Sequence, residues 1–482
     1  MSLEFLHAHF VALISVFAAL LHVLGIVSSA HALMTVRTSQ GAIAWAVSLI
    51  TFPYAALPLY WIFGRNKFQG YVNARRKGNQ VLRQIIASLE AYTEKYSATL
   101  RGASGRYRAL EELAQLPFTG ANSAELLIDG HETFGAIFEA IREARHYILV
   151  QFFIIHDDEI GRELQALLIE KARQGVSVYL LYDEVGCHKL PSEYRQRLRE
   201  AGVDVRPFNT RKGWRNRFQI NFRNHRKIVI VDGRVAFVGG LNVGDEYMGR
   251  SPRFGPWRDT HARFRGPSVT CVQLSFMEDW YWASHELPEL EWQPQAAPSG
   301  NQHILVLPTG PADEHDTCSL FFCHAIHSAR QRVWIVSPYF VPDEAVISAL
   351  QLAALRGVDV RIMLPLRPDH RLVYLASFSY LPQFTMPGIR FYRYKPGFLH
   401  QKVMLVDDDL ASVGTANLDN RSLKLNFEIS MVVSDRAFVA DVEKMLETDF
   451  ANCIRVTMAD YHRRSPLFKL AVKVARLLSP LL

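Results

Sequence analysis

Cysteine is scarce in this chain, and charge is missing from its beginning. Five cysteines occur among 482 residues (Cys187, Cys271, Cys318, Cys323, Cys453), scattered and nowhere spaced C-x-x-C. That excludes a disulfide framework or a zinc ribbon and fits a reducing compartment for the soluble part. No cluster of carboxylates or cysteines offers a metal site, so chemistry without metal or other cofactor is expected. Asp, Glu, Lys and Arg are absent from Phe5 to Val36 and again from Thr38 to Gly64. A membrane span needs ~20 mostly apolar residues, and each stretch is long enough. The tight connection around Arg37 predicts a two-helix hairpin. A cleaved signal peptide would carry a basic N-terminal region, which is missing, and a second span follows at once. Pro53 and Pro58 should bend the second helix, and Tyr60 and Trp61 should sit at the interface.

What is present orients this hairpin. Only Arg37 lies between the spans, whereas Arg65, Lys67, Arg75, Arg76 and Lys77 follow the second. Positive-inside logic places that flank, and everything after it, in the cytoplasm. The net charge of +7 favours anionic partners, either nucleic acid or an acidic lipid surface.

Length points to two core-forming units with accessories. Residues 79–116 read as a helical stalk or covering helix. Beyond it, Glu143-Ala-Arg-His-Tyr-Ile-Leu-Val lines up with Ser328-Ala-Arg-Gln-Arg-Val-Trp-Ile. Each is followed by a helical run stopped by Gly175 or Gly357 and then by a buried strand, V-S-V-Y-L-L-Y-D or V-D-V-R-I-M-L-P. The order repeats, which predicts a duplicated α/β unit. The expected organisation is 1–64 for the hairpin, 65–119 for a basic juxtamembrane linker, 120–285 and 303–458 for the two units, and 286–302 for the linker between them. Residues 459–482 form a basic amphipathic C-terminal segment, with Lys469, Lys473 and Arg476 on one helical face. Such a segment suits an anionic membrane surface, and the same pattern fits a helix docked on the protein's own core.

Behind the repeats stand two further matching blocks. One reads H-R-K-I-V-I-V-D-G-R-V-A-F-V-G-G-L-N from His225 to Asn242, the other H-Q-K-V-M-L-V-D-D-D-L-A-S-V-G-T-A-N from His400 to Asn417. His and Lys two apart on a strand share a face, while Arg226 or Gln401 between them points away. Phosphodiester chemistry has a use for two such sets. One imidazole attacks phosphorus, and the other protonates the leaving alkoxide and then activates the incoming hydroxyl. Lys227, Lys402, Asn242 and Asn417 would neutralise or bind the phosphate oxygens. The motif aspartates, Asp232 and Asp407, belong to the candidate catalytic set by position, although their turn context reads as capping. Each histidine also needs a carboxylate to fix its tautomer. Asp259 and Glu428 are the candidates, each following the histidine of its own copy by a similar distance. Between Arg206 and Lys227 lie eight Lys or Arg and no acid, with Trp214, Phe218 and Phe222 interleaved. That run suits either an anionic headgroup or single-stranded nucleic acid.

These blocks, with W-R-D-T-H, N-F-E and G-T-A-N-L-D-N-R-S, resemble the phospholipase D superfamily, and within it the bacterial cardiolipin synthases. The resemblance covers nearly the whole chain. It implies an α/β fold of two duplicated mixed-sheet sandwich domains sharing one active site. It also implies conversion of two phosphatidylglycerol molecules to cardiolipin and glycerol at the bacterial inner membrane, with His225 as nucleophile and His400 as acid and base. The membrane hairpin counts against nucleic acid as substrate. Phospholipid hydrolysis and a non-catalytic scaffold remain the other readings.

Overall fold

In the computed structural model, residues 3–36, 38–64, 67–68, 70–75, 95–97, 104–208, 221–385 and 388–481 are described. They divide into two compact units: an N-terminal one ending at Gly70, to which Asn221 and Phe222 also belong, and a larger one from Tyr71 onward. Most of the basic run between Arg206 and Lys227, including Trp214 and Phe218, lies outside the described residues. So do Arg37, Arg65, Arg76 and Lys77, and most of the stretch read as a stalk.

The charge-free N-terminus is helical. The helix Leu3–Thr35 contains a stretch, His9–Thr35, long and apolar enough to cross a membrane. The second apolar stretch differs from the single bent helix expected. It is two helices, Ser39–Thr51 and Pro53–Phe63. Proline at the first position of the later helix has no N–H to continue the earlier ladder, so the chain breaks at Phe52. Within this unit Ala32, Leu49, Ala56, Leu57 and Tyr60 pack together, and His31 Nδ1 lies 2.6 Å from Tyr60 Oη. Most remaining large apolar side chains, among them Leu13, Phe17 and Leu20, face outward.

The larger unit is built on one continuous mixed sheet of 16 strands. Its middle is an antiparallel pair, Thr119–Ile128 beside Gln302–Thr309, with Thr119 opposite Ile304. The same strand order runs outward from this pair on both sides. On one side come Thr260–Arg265, Val235–Gly239, Ile228–Val231, Tyr147–Phe152, Ser177–Asp183 and Asp204–Phe208. On the other come Asn426–Ser434, Leu410–Gly414, Val403–Val406, Arg332–Val336, Asp359–Pro365 and Arg390–Tyr394, with Cys453–Val456 at the edge. The duplication therefore closes as two copies of one topology, and each has its own apolar core.

Local chemistry explains the repeated elements. The helices Glu159–Arg173 and Glu344–Leu355 are capped alike. Asp158 accepts from the Gly161 N–H at 3.1 Å, and Asp343 from the Val346 N–H at 3.0 Å. Gly175 and Gly357, at φ +88° and +87°, end them in a backbone conformation that costs glycine nothing. Residues 286–301 carry no helix or strand. The C-terminal helix Pro466–Leu477 buries Val472 and Ala475 in the core of the second copy and leaves Leu467, Leu470, Val474 and Leu477 exposed.

Candidate active site

Each His-x-Lys segment lies just ahead of a buried strand, Ile228–Val231 or Val403–Val406, and is held in place from the opposite copy. Two short parallel ladders cross between the halves. Arg223 and Asn224 pair with Asn426 and Phe427, and Phe398 and Leu399 pair with Trp257 and Arg258. The first ladder continues as His225 N–H donating to Phe427 O at 2.9 Å, the second as His400 N–H donating to Arg258 O at 2.8 Å. The residue after each acceptor is a buried carboxylate. His225 Nδ1 meets Glu428 Oε2 at 2.9 Å, and His400 Nδ1 meets Asp259 Oδ2 at 2.7 Å. The expected pairing within each copy is therefore corrected. Each carboxylate serves the histidine of the other copy, because the crossing ladders deliver it there. Neither histidine is complete without both halves.

The residues between His and Lys anchor the segments. Arg226 turns from the site and donates to Asp279 Oδ2 at 2.9 Å on the helix Ser268–Ser284, and to Glu428 O at 3.0 Å. Gln401 donates to Asp449 Oδ2 at 3.1 Å on the equivalent helix, Arg436–Ala451. Asp449 also holds Arg258 at 2.9 Å, directly beside Asp259. Sequence reasoning missed Asp279 and Asp449. Their only signal is position, an acid near the end of a helix on its buried side, Asp279 next to Glu278 and Asp449 among Asp441, Glu443 and Glu447.

Asp232 and Asp407 are removed from the catalytic set. Asp232 accepts the backbone N–H groups of Arg145, His146 and Tyr147 at 2.8–2.9 Å. Asp407 does the same for Arg330, Gln331 and Arg332 at 2.8–3.1 Å. Both sit at positive φ, +52° and +51°, at the far end of their strands, about 16 Å of strand rise from the lysines. They fasten the strand turn to the start of a neighbouring strand.

The remaining predicted residues converge. Lys227 and Lys402 are buried, with Nζ donating to His225 O at 2.7 Å and His400 O at 2.5 Å. Asn242 accepts from Ile154 N–H at 3.2 Å and donates to Tyr247 Oη at 3.1 Å, whereas Asn417 Oδ1 has no partner among the described residues. The two halves differ around the carboxylates. Glu428 accepts from Thr415 Oγ1 at 2.6 Å, Ser422 Oγ at 2.7 Å and Asn426 Nδ2 at 3.2 Å, besides His225. Asp259 accepts from Thr260 N–H at 2.8 Å and Trp257 Nε1 at 3.4 Å, besides His400. Where the second copy has Thr415 the first needs Gly240, since a Cβ there would lie 2.0 Å from Asp259 Oδ1. His400 is flanked by Trp257 and Phe398, with ring centroids 5.2 and 6.0 Å away. His225 stands edge-on to Phe153 at 5.0 Å.

Burial dominates the electrostatics. It holds the His225 imidazolium down to about 4, with Glu428 opposing and Lys227 adding to the effect. It holds His400 well below the ordinary value, reinforced by both lysines and by His225 itself. Lys402 falls to about 8 and Lys227 well below its ordinary value, in both cases chiefly by burial. Burial pushes Glu428 upward, but His225, Lys227 and Thr415 outweigh it and leave the carboxyl below its usual range. Burial raises Asp259 despite Lys402. A carboxylate accepting from Nδ1 leaves the Nε2 lone pair of a neutral imidazole free. The site thus holds two neutral imidazoles beside two buried lysine Nζ donors, arranged for an anion with a centre open to attack.

Comparison with known proteins follows the same halves. Residues 137–251 and 322–450 match the family described as "Cardiolipin synthase, PLD-like domain". Cardiolipin synthase A of Pseudomonas fluorescens (strain SBW25) is 53% identical over 473 residues, covering 98% of either chain. The protein of that name from Pseudomonas syringae pv. syringae (strain B728a) is 53% identical over 465 residues, 96% of this chain and 97% of its own. Among solved structures, phosphatidylserine synthase from Haemophilus influenzae Rd KW20 shares the fold, with a TM-score of 0.60 at 16% identity over 78% of this chain and 100% of that one.

Proposed function

The chain belongs to the PLD-like cardiolipin synthase family, and on that premise we propose that it joins two phosphatidylglycerol molecules into cardiolipin, releasing glycerol through a covalent phosphatidyl-histidine. The observation that carries this reading is the pair of crossed His–carboxylate contacts beside two buried lysines. His225 Nε2 attacks phosphorus, a P–N bond forms, and the P–O bond to the first glycerol headgroup breaks. His400 gives that alkoxide a proton. It then takes one from a headgroup hydroxyl of the second phosphatidylglycerol, whose oxygen displaces His225. The Glu428 carboxylate, fully hydrogen-bonded, supports the positive charge that phosphorylation places on the His225 ring. His400 is neutral in the empty site, and the arriving diester brings the negative charge that lets it hold a proton. Lys227, Lys402, Asn242 and Asn417 bind the phosphate oxygens, which carry more charge in the transition state than in the bound diester.

The membrane placement belongs to the same proposal. The helix His9–Thr35 and the two apolar helices after it anchor the enzyme as a multi-pass hairpin in the bacterial inner membrane, with the catalytic body cytoplasmic. The substrate is then membrane lipid, not nucleic acid. Incubating the purified full-length protein with headgroup-labelled phosphatidylglycerol tests the reading. Cardiolipin and labelled glycerol in equal amounts are expected; phosphatidic acid as the sole lipid product would make the enzyme a hydrolase, and absence of turnover would make it a scaffold.

A further inference from the structure

The C-terminal helix Pro466–Leu477 has two apolar faces, and only one is used inside the protein. Val472 and Ala475 are buried, and Phe468 packs beside them against Phe378 with ring centroids 5.3 Å apart. At ~100° per residue these occupy one side of the helix. Leu467, Leu470, Val474 and Leu477 fall within a separate arc of roughly 100°, and they are 52–79% exposed. Lys469, Lys473 and Arg476 fill the third side, bordering the exposed apolar arc. No acid occurs from Tyr461 to the last residue, while Arg463 and Arg464 add two more cations. A helix that needed only to dock on its own core would have no reason to keep four large apolar side chains in water.

We infer that this second face is a monotopic contact with an anionic bilayer, a built-in surface foot that sets the catalytic unit against the lipid it uses. Charge chooses the occupant: an uninterrupted apolar arc beside a purely cationic one matches a headgroup layer of negative lipid over acyl chains. Its position in the fold agrees. The Ser479 carbonyl that follows the helix accepts from Asn420 Nδ2 at 3.0 Å, three residues past Asn417. The short helix Asn420–Lys424 then carries Ser422, which donates to Glu428. The C-terminal helix and the carboxylate of His225 are thus linked through one short helix and its hydrogen bonds.

The test uses the full-length protein in vesicles of phosphatidylcholine, with or without phosphatidylglycerol. Leu470→Cys and Leu477→Cys are labelled with a water-soluble maleimide, and each modified peptide is read by mass. Glu447→Cys, on the exposed side of another helix, corrects for orientation in the vesicles. Adding the anionic lipid should slow labelling at both positions by at least about tenfold relative to Glu447→Cys, the effect three cations near a negative surface support. Lys469→Glu/Lys473→Glu/Arg476→Glu should abolish that difference while keeping turnover in detergent micelles. Equal labelling rates in both vesicle types would overturn the inference, as would protection that survives the triple substitution. Protection that follows protein density instead of lipid charge would assign the face to a second copy of the chain and likewise overturn it.

Discussion

Asp259→Asn and Glu428→Gln are the same chemical change at symmetry-related places, yet the two surroundings require different outcomes. Glu428 Oε1 accepts from Ser422 Oγ and Asn426 Nδ2, and both partners can reverse roles. A hydroxyl rotates, and the Asn426 amide can flip, its Oδ1 having no partner among the described residues. The new NH2 of glutamine therefore settles on that side, and its oxygen still receives the His225 Nδ1 proton. The tautomer survives and only the charge assistance is lost. That is worth about 1–1.5 kcal/mol, or about tenfold in rate. Asp259 offers no such choice. Thr260 N–H and Trp257 N–H can only donate, so His400 is the one partner able to become an acceptor. With its oxygen kept on the Thr260 N–H, the shorter of the two N–H bonds, asparagine turns its NH2 to the Oδ2 side, against the more distant Trp257 N–H and toward His400 Nδ1, which drives the proton to Nε2 and leaves no base facing the acceptor hydroxyl. A tautomer error of this kind costs about 10⁴-fold in serine proteases. The prediction is that Asp259→Asn is about a thousandfold more damaging than Glu428→Gln. Turnover of labelled phosphatidylglycerol in micelles, with circular dichroism to establish folding, measures both. Equal losses, or a greater loss in Glu428→Gln, would refute the hydrogen-bond argument.

Three other outcomes follow from the same geometry. Gly240→Ala should behave like loss of Asp259, because its Cβ would stand 2.0 Å from Oδ1, while Thr415→Gly, which creates space, should cost about tenfold through one lost hydrogen bond to a charged group; turnover of the two variants checks this. Asp232→Ala should lower stability by about 1 kcal/mol, since of the three backbone N–H groups it leaves only that of Tyr147 is away from solvent, yet leave kcat of the folded fraction within about threefold, as melting curves and active-site-normalised rates would show. Acidification should destabilise the enzyme between about pH 6.5 and 4. There the unfolded chain binds a proton that buried His225 refuses, so the unfolded state holds more protons and stability falls as pH drops. His261, held down to about 3 by burial, adds to the same slope. Melting temperatures of the wild type and His225→Gln, measured across that range, should converge as pH falls.

What the sequence disclosed and what it withheld divide along one physical line. The His-x-Lys segments, the strand turn at Asp232, the helix stops at Gly175 and Gly357, and the repeat itself are local patterns, and local patterns are legible. Asp259 and Glu428 could be singled out as carboxylates in strand-like segments, but their partners could not. The contacts join residues 203 and 141 positions apart, across the two halves. Within a copy the spacing suggested the wrong assignment. Only the crossing ladders at Phe427 and Arg258 reveal the exchange. Arg226 and Gln401 could be seen to point away, but not toward Asp279 and Asp449, since a helix period does not name the strand it will cover. Likewise Pro53 announced a disturbance in the second apolar stretch, but a bend and a break differ only in whether the ladder resumes past it. The C-terminal helix left two readings open because periodicity measures one summed direction, and this helix has two apolar faces.

The central claim is that one composite site carries a phosphatidyl group on a single histidine, His225. Its most direct test is acid quenching during turnover of phosphatidylglycerol, followed by mass analysis of the two histidine-containing peptides. A phosphatidyl adduct on His225, formed and lost at the rate of cardiolipin synthesis, is the predicted result. An adduct carried by His400, or rapid synthesis with no adduct on either histidine, would contradict it.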